Sequence, residues 1–219
     1  MAKYFNYFPK TFYNLDEKSN SLDTVTNIIA RFAFEGKLKE NSSSFYSYQI
    51  KDGDTPEIIA SKYYGNPERH WIVLLFNNII DPQFDWPLEY RTFNEYVDEK
   101  YSASEYADTS NTSISGLSWA RNVNNVHSYY KVINTKLNFE GTNYTDKIQI
   151  DSESYANVAD SSTVYTLPNN TTITESITKE IKTHYEYEEQ VNENKRTIKL
   201  LKSDFVPAVE KEFKRVVKL

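Results

Sequence analysis

The chain has 219 residues, no Cys, five Gly and three His, and 25 Lys/Arg stand against 31 Asp/Glu for a formal charge of −6. The lack of Cys excludes disulfides, thiolate metal sites and Cys nucleophiles together, and the five Gly form neither G-x-G-x-x-G nor G-K-[ST], so the phosphate-cradling loops are excluded too. His70, His127 and His184 stand far apart in the sequence, which leaves little for a His-built metal site or general base, and the acidic balance disfavours nucleic acid.

The length allows one or two domains with a real core. No cofactor and no metal is expected. The N-terminus, MAKYFNYFPKTFYNL, lacks a basic region followed by an unbroken apolar stretch, so it does not read as a signal peptide. The longest apolar run, Trp71 to Phe76, is far short of the ~20 residues a membrane helix needs. A soluble chain made in a cytoplasm is expected, with no membrane partner. Of the 18 Tyr, 12 Phe and 3 Trp, 21 fall in residues 1–101. Tyr and Trp are enriched where proteins meet, although most of these rings are expected to be core.

Residues 1–15 are aromatic and irregular around Pro9. Tyr4, Phe5, Tyr7, Phe8, Phe12 and Tyr13 must lie on something, either a partner or the next helix. That helix is predicted over about 22–35, with Leu22, Val25, Ile28, Ile29 and Phe32 on one face, Ser21 or Asp23 as cap and Gly36 at its end. Residues 45–50 read as a strand with Phe45, Ser47 and Gln49 opposite Tyr46, Tyr48 and Ile50. After a turn at 51–54, Thr55 caps a helix with Pro56 at its first position, an inner stripe of Ile58, Ile59, Lys62 and Tyr63, and Gly65 at its end. Asn66 and Pro67 open a second helix, apolar nearly all round, that runs through Trp71–Phe76 to Asn77. Asp81-Pro82 and Trp86-Pro87 break the chain. A further helix is predicted over about 88–101, with Leu88, Tyr90, Phe93, Tyr96, Val97 and Tyr101.

Residues 102–177 are rich in Ser, Thr, Asn and Asp and read as a β-rich or loop-rich, partly mobile surface insert. Its short apolar alternations lie at Tyr129–Ile133, Leu137–Phe139 and Ile148–Ile150. Ile173, Ile177 and Ile181 sit in an extended stretch, and Tyr185–Asn194 reads as a charged helix. Arg196–Leu201 reads as a strand. A last helix starts at Ser203-Asp204, keeps Pro207 in its first turn, and carries Phe205, Val209, Phe213, Val216 and Val217 as its apolar stripe. Residues 195–219 hold eight Lys/Arg against three Asp/Glu. The outline is α+β, in four parts: 1–44, 45–101, 102–177 and 178–219.

The most specific pattern is Tyr48-x-Ile50-x-x-Gly53-Asp54-Thr55-Pro56-x-x-Ile59-Ala60-x-x-x-Tyr64-Gly65-Asn66-Pro67, then Trp71, Asn77, Asp81-Pro82 and Trp86. It resembles a LysM module, a small βααβ unit. Gly53 permits the sharp strand-to-helix turn. Asp54 and Thr55 can bond N–H groups at the helix start, Ala60 permits close packing, and Asn77 can anchor the second helix through side-chain-to-backbone bonds. The resemblance implies a groove for N-acetylglucosamine polymers between Gly53–Pro56 and Asn78–Pro82. Two departures point to a module built into a larger assembly, with the sugar groove lost or never used. The closing strand of such modules is replaced by Phe84-Asp85-Trp86-Pro87-Leu88, and the second helix is too apolar for a free-standing unit.

The wider order adds Tyr185-Glu186-Tyr187-Glu188, Asn192, Lys195-Arg196 and Ile198-Lys199-Leu200-Leu201 before the last amphipathic helix. With the aromatic N-terminus, this is similar to the LysM-containing baseplate wedge subunit of T-even-like contractile-tailed phages. The resemblance covers roughly 1–101 and 178–219 and not the insert. It implies a structural virion protein, not an enzyme, that sits in the six-fold tail baseplate. There it joins neighbouring wedges and lies near other wedge proteins and the sheath-starting platform protein. Candidate docking residues are the N-terminal aromatics together with Phe205, Val209 and Phe213. Two other classes stand beside it: a peptidoglycan- or chitin-binding module, and a cell-wall hydrolase. The hydrolase would have to use Glu186, Glu188 and Glu189, whose spacing reads as a solvated helix face.

Overall fold

Capping residues and Gly fix where the elements start and stop, and a computed structural model describes residues 7–14, 22–28, 42–102 and 114–217. The fold is α+β. Its contacts divide it into one unit of residues 1–89 with 193–219 and a second of residues 90–192.

In the first unit, β1 (Lys10–Tyr13) pairs antiparallel with β2 (Asp23–Thr26), from Lys10 opposite Thr26 to Tyr13 opposite Asp23. This corrects the helix predicted from residue 22. The β-branched run Thr24-Val25-Thr26 favours a pleated strand, and Leu22 and Ile28 of the expected stripe are exposed. Ile29, Phe32, Gly36 and the rest of that helix lie outside the described residues.

Strand β3 (Phe45–Gln49) leads into α1 (Pro56–Tyr64), a 3-10 turn (Pro67–Arg69), α2 (His70–Phe76) and the short α3 (Pro82–Asp85). The punctuation is as the sequence indicates. The Thr55 hydroxyl accepts from the Ile58 N–H, and Gly65 closes α1 in the left-handed conformation at φ 64°. The Asn66 side chain accepts from the Glu68 N–H. Asp81 does more than break the chain, because it caps α3 by accepting from the Gln83 N–H. The inner face of α1 is turned from the predicted stripe: Pro56, Ile59, Ala60 and Tyr64 are buried, while Ile58 and Tyr63 are exposed. They fall at i, i+3, i+4 and i+8, one face of a helix, and the small Ala60 admits the neighbouring helix.

The partner of β3 comes from far downstream. Strand β8 (Thr197–Leu201) pairs with it antiparallel, from Phe45 opposite Leu201 to Gln49 opposite Thr197. A 3-10 turn (Ser203–Phe205) then opens α8 (Val206–Val217), which buries Val206, Val209, Phe213 and Val217. Val206 takes the inner place expected of Phe205, and Val216 is exposed. The core joins Ile59, Ile72 and Val73 to Leu200, Leu201 and Phe213.

The second unit starts with α4 (Tyr90–Tyr101), which buries Phe93, Val97 and Tyr101 and leaves Tyr90 and Tyr96 exposed. Helix α5 (Gly116–Arg121) packs against it so closely that a Cβ on Gly116 would lie 2.2 Å from the Asp98 carbonyl oxygen. An antiparallel sheet in the order β5-β4-β7-β6 follows. Its strands are β4 (Val126–Leu137), β5 (Thr142–Ile150), β6 (Ser161–Thr166) and β7 (Thr172–Thr183), with α6 (Ser152–Asn157) between β5 and β6. Helix α7 (His184–Asn194) continues from β7. The polar stretch around 126–177 is therefore mostly sheet. Register places Ile133 beside Ile177 and Leu137 beside Ile173, on one face.

Candidate functional site

The strand-to-helix turn of the first unit is built around Asp54. Its carboxylate accepts from the Tyr48 hydroxyl at 2.6 Å, the Lys62 ammonium at 2.6 Å and the Lys51 N–H at 3.1 Å. Burial pushes this carboxyl up, but the bonds from Lys62, Tyr48 and Lys51 outweigh it and hold the group below the usual carboxylate range. Burial and the bond to Asp54 push the Tyr48 hydroxyl up to about 12. Thr55 alone caps α1; Asp54 ties the strand to the helix instead. Gly53, at φ 83°, makes the turn that brings them together.

Beside this turn lies an open cleft of about 400 Å³, lined by Gly53, Asp54, Pro56, Pro82, Trp86 and Arg196 among others. It corresponds to the groove expected between 53–56 and 78–82, with one correction. Of the second loop, only Pro82 reaches it, while Asn78 lines a separate depression with Asn77 and Lys195. The Trp86 indole N–H donates to the Asp54 carbonyl at 3.0 Å, so the ring closes one wall against the chain itself. Arg196 holds the other side, with Asp52 at 2.8 Å, Glu193 at 2.6 Å and the Leu88 carbonyl at 3.1 Å. Its side chain is only 13% exposed.

Asn77 anchors the second helix by donating to the Val73 carbonyl, as expected, and also reaches β8. Its amide donates to the Lys199 carbonyl and accepts from the Lys199 N–H, both at 2.8 Å. One side chain thus occupies the backbone groups of Lys199 as a neighbouring strand would. Asn78 adopts φ 56° and the Ile79 N–H returns to the Leu74 carbonyl, a helix end of the kind Asn tolerates.

Ile59, Ala60, Tyr64 and Trp71 of the motif are core. So are three candidate docking residues, Phe8, Val209 and Phe213, each at most 5% exposed. Phe213 meets Trp71 at 4.6 Å and Tyr7 and Phe8 at 6.3 Å. Tyr7 and Phe8 therefore lie on α8 of their own chain. Phe12 is 71% exposed on β1, and Phe205 is exposed. Tyr4 and Phe5 lie outside the described residues. Ile80 (73%) and Phe84 (67%) are exposed apolar side chains that the sequence did not mark as docking residues. Both flank the Asp81-Pro82 break, which is the sequence signal for them.

In the second unit Glu188 is buried, not part of a solvated face, and accepts from Lys100 at 2.7 Å and the Tyr101 hydroxyl at 2.9 Å. The Glu186 side chain accepts from the Thr183 N–H. Among the described residues no group of three or more His, Asp or Glu could hold a metal, and no helix is long and apolar enough to cross a membrane.

Polar side chains near the cleft bond one another, and several large apolar side chains are exposed. The class follows from comparison with known proteins. The chain belongs to a family of phage baseplate proteins, since its residues 3–216 match the family model described as base plate wedge protein 53. A stretch of 40 residues is 40% identical to the baseplate wedge protein gp53 of Enterobacteria phage T4, covering 18% of this chain and 20% of that relative.

Proposed function

We propose that this chain is a structural subunit of the phage tail baseplate that joins neighbouring wedges into a six-fold ring through protein–protein contacts. The family match across residues 3–216 carries this reading. One face of the subunit docks on its own wedge and another reaches the next, so that repeated head-to-tail contacts close a ring. Its partners are other wedge proteins and the sheath-starting platform protein, and it is made in the host cytoplasm before it enters the virion. The exposed side chains Phe12, Ile80 and Phe84 are the docking residues that best fit such contacts.

Within this reading, residues 45–86 and 197–201 form a LysM-like unit. The antiparallel pairing of β3 with β8 supports it, with the closing strand supplied from far downstream in place of residues 84–88. Asp54 is engaged by Lys62 and Tyr48, and Trp86 by the Asp54 carbonyl, which favours a protein-docking role for the unit over sugar recognition.

The test is assembly. Tail proteins lacking this chain should leave separate wedges on a sedimentation gradient, and adding the purified chain should convert them to baseplates. Baseplates that form at the normal rate without it would overturn the proposal.

A further inference from the structure

The sequence separates His127 from His184 by 57 positions, yet the second unit brings them together. His127 occupies the irregularity in β4 between Val126 and Ser128. Its ring lies flat on Tyr187, 3.8 Å between centroids, and stands perpendicular to His184 at 5.2 Å. His184 in turn rests on Trp119 at 5.0 Å and Tyr101 at 5.3 Å. A single run of rings therefore connects β4, α4, α5 and α7.

Charge around this pair is unfavourable to protonation. Lys100 of α4 and Lys182 of β7 face it, and Glu188 of α7 supplies the negative group. Glu188 already accepts from Lys100 and from the Tyr101 hydroxyl. Two imidazolium ions would place four cations around one engaged carboxylate. His184 is also the first residue of α7, at the positive end of the helix dipole.

We propose that His127 and His184 form a proton-sensitive latch, whose protonation in mild acid loosens the packing of β4 and α7 against α4 and α5. The latch is independent of the baseplate role, since it rests only on the packing inside this unit. Both imidazoles are held below their usual range. Burial is the largest cause for each; for His184 the next is the charge of His127, and for His127 Glu188 opposes the shift while Lys182 and Lys100 add to it. Above about pH 6.5 both rings are neutral in the folded and the open chain, and the pair costs nothing. Below it the open chain takes up protons that the folded unit resists. The opening constant then rises by up to about tenfold per pH unit for each histidine, about a hundredfold for both, until the folded rings titrate as well.

Hydrogen exchange on the intact chain reads this directly, with protection corrected for intrinsic rates. Between pH 7.5 and 5.5, protection in residues 90–192 should fall at least about tenfold. A His127→Gln/His184→Gln variant should show no such fall, while His70→Gln, in the other unit, should fall as the parent does. Parent protection that stays flat, or a double variant that falls as steeply, overturns the latch. Ring-proton titration of the unsubstituted chain by NMR needs no variant: both rings should titrate below 6.5, and either one titrating at or above it overturns the proposal.

Discussion

Each unit buries one carboxylate against a lysine and a tyrosine hydroxyl, yet the two clusters do different work. Asp54 gathers Lys51, Lys62 and Tyr48, all within eight residues of it. It fixes one turn, and a backbone N–H shares the load. Glu188 gathers Lys100 and Tyr101 from 88 and 87 residues away. It joins α4 to α7 and so helps to define the unit itself. A local cluster shapes a segment that the sequence already inclines towards its fold, whereas a distant one depends on the whole unit forming.

Replacing Glu188 by Ala should therefore have the larger effect, about 4 kcal/mol, because it removes two charge-assisted bonds that tie α4 to α7 and leaves the buried Tyr101 hydroxyl without its acceptor, although Lys100 keeps its bond to the Tyr96 hydroxyl. Urea unfolding followed by exchange in residues 90–192 measures it. Asp54→Ala should cost about 3 kcal/mol at most, since Lys62 is half exposed and can return to water. That loss should be confined to the first unit. Equal losses in both units for either variant would break the contrast.

Acid sharpens it. The Asp54 carboxyl lies below its ordinary value of 3.8. Its stabilising contribution is fully present above about pH 4 and is lost as pH falls through the lowered folded value. The histidine pair weakens the second unit from about pH 6.5 downward. An acid titration followed by two-dimensional NMR should thus release the second unit before the first. Smaller effects probe the first unit alone. Asn77→Ala removes two bonds to Lys199 and one to Val73 and should cost about 2 kcal/mol by thermal denaturation. Thr55→Ala removes the α1 cap and should cost about 1 kcal/mol in the same assay.

What was legible in the sequence follows the same division. Thr55-Pro56, Gly65, Asn66-Pro67 and the Asn77 anchor act over a few residues, and local chemistry fixes them. Strands at 45–49 and 197–201 were visible, but their pairing was not, because nothing in either five-residue stretch names a partner about 150 positions away. The inner face of α1 was misread by one position, since Ile58 and Tyr63 are as apolar as the Ile59 and Tyr64 that pack inward. The strand at 23–26 was read as helix, because a 3.6-residue repeat of apolar residues there competes with a β-branched run. His127, His184 and Glu188 looked isolated or solvated until the sheet and helices of the second unit brought them together.

A structural part of the phage baseplate must be present in every tail in a fixed number. Quantitative mass spectrometry of purified tails tests it most directly. Six copies per baseplate, or a multiple of six, are expected for a subunit that joins the wedges of a six-fold ring. Tails that carry full sets of the other wedge proteins but none of this chain would contradict it.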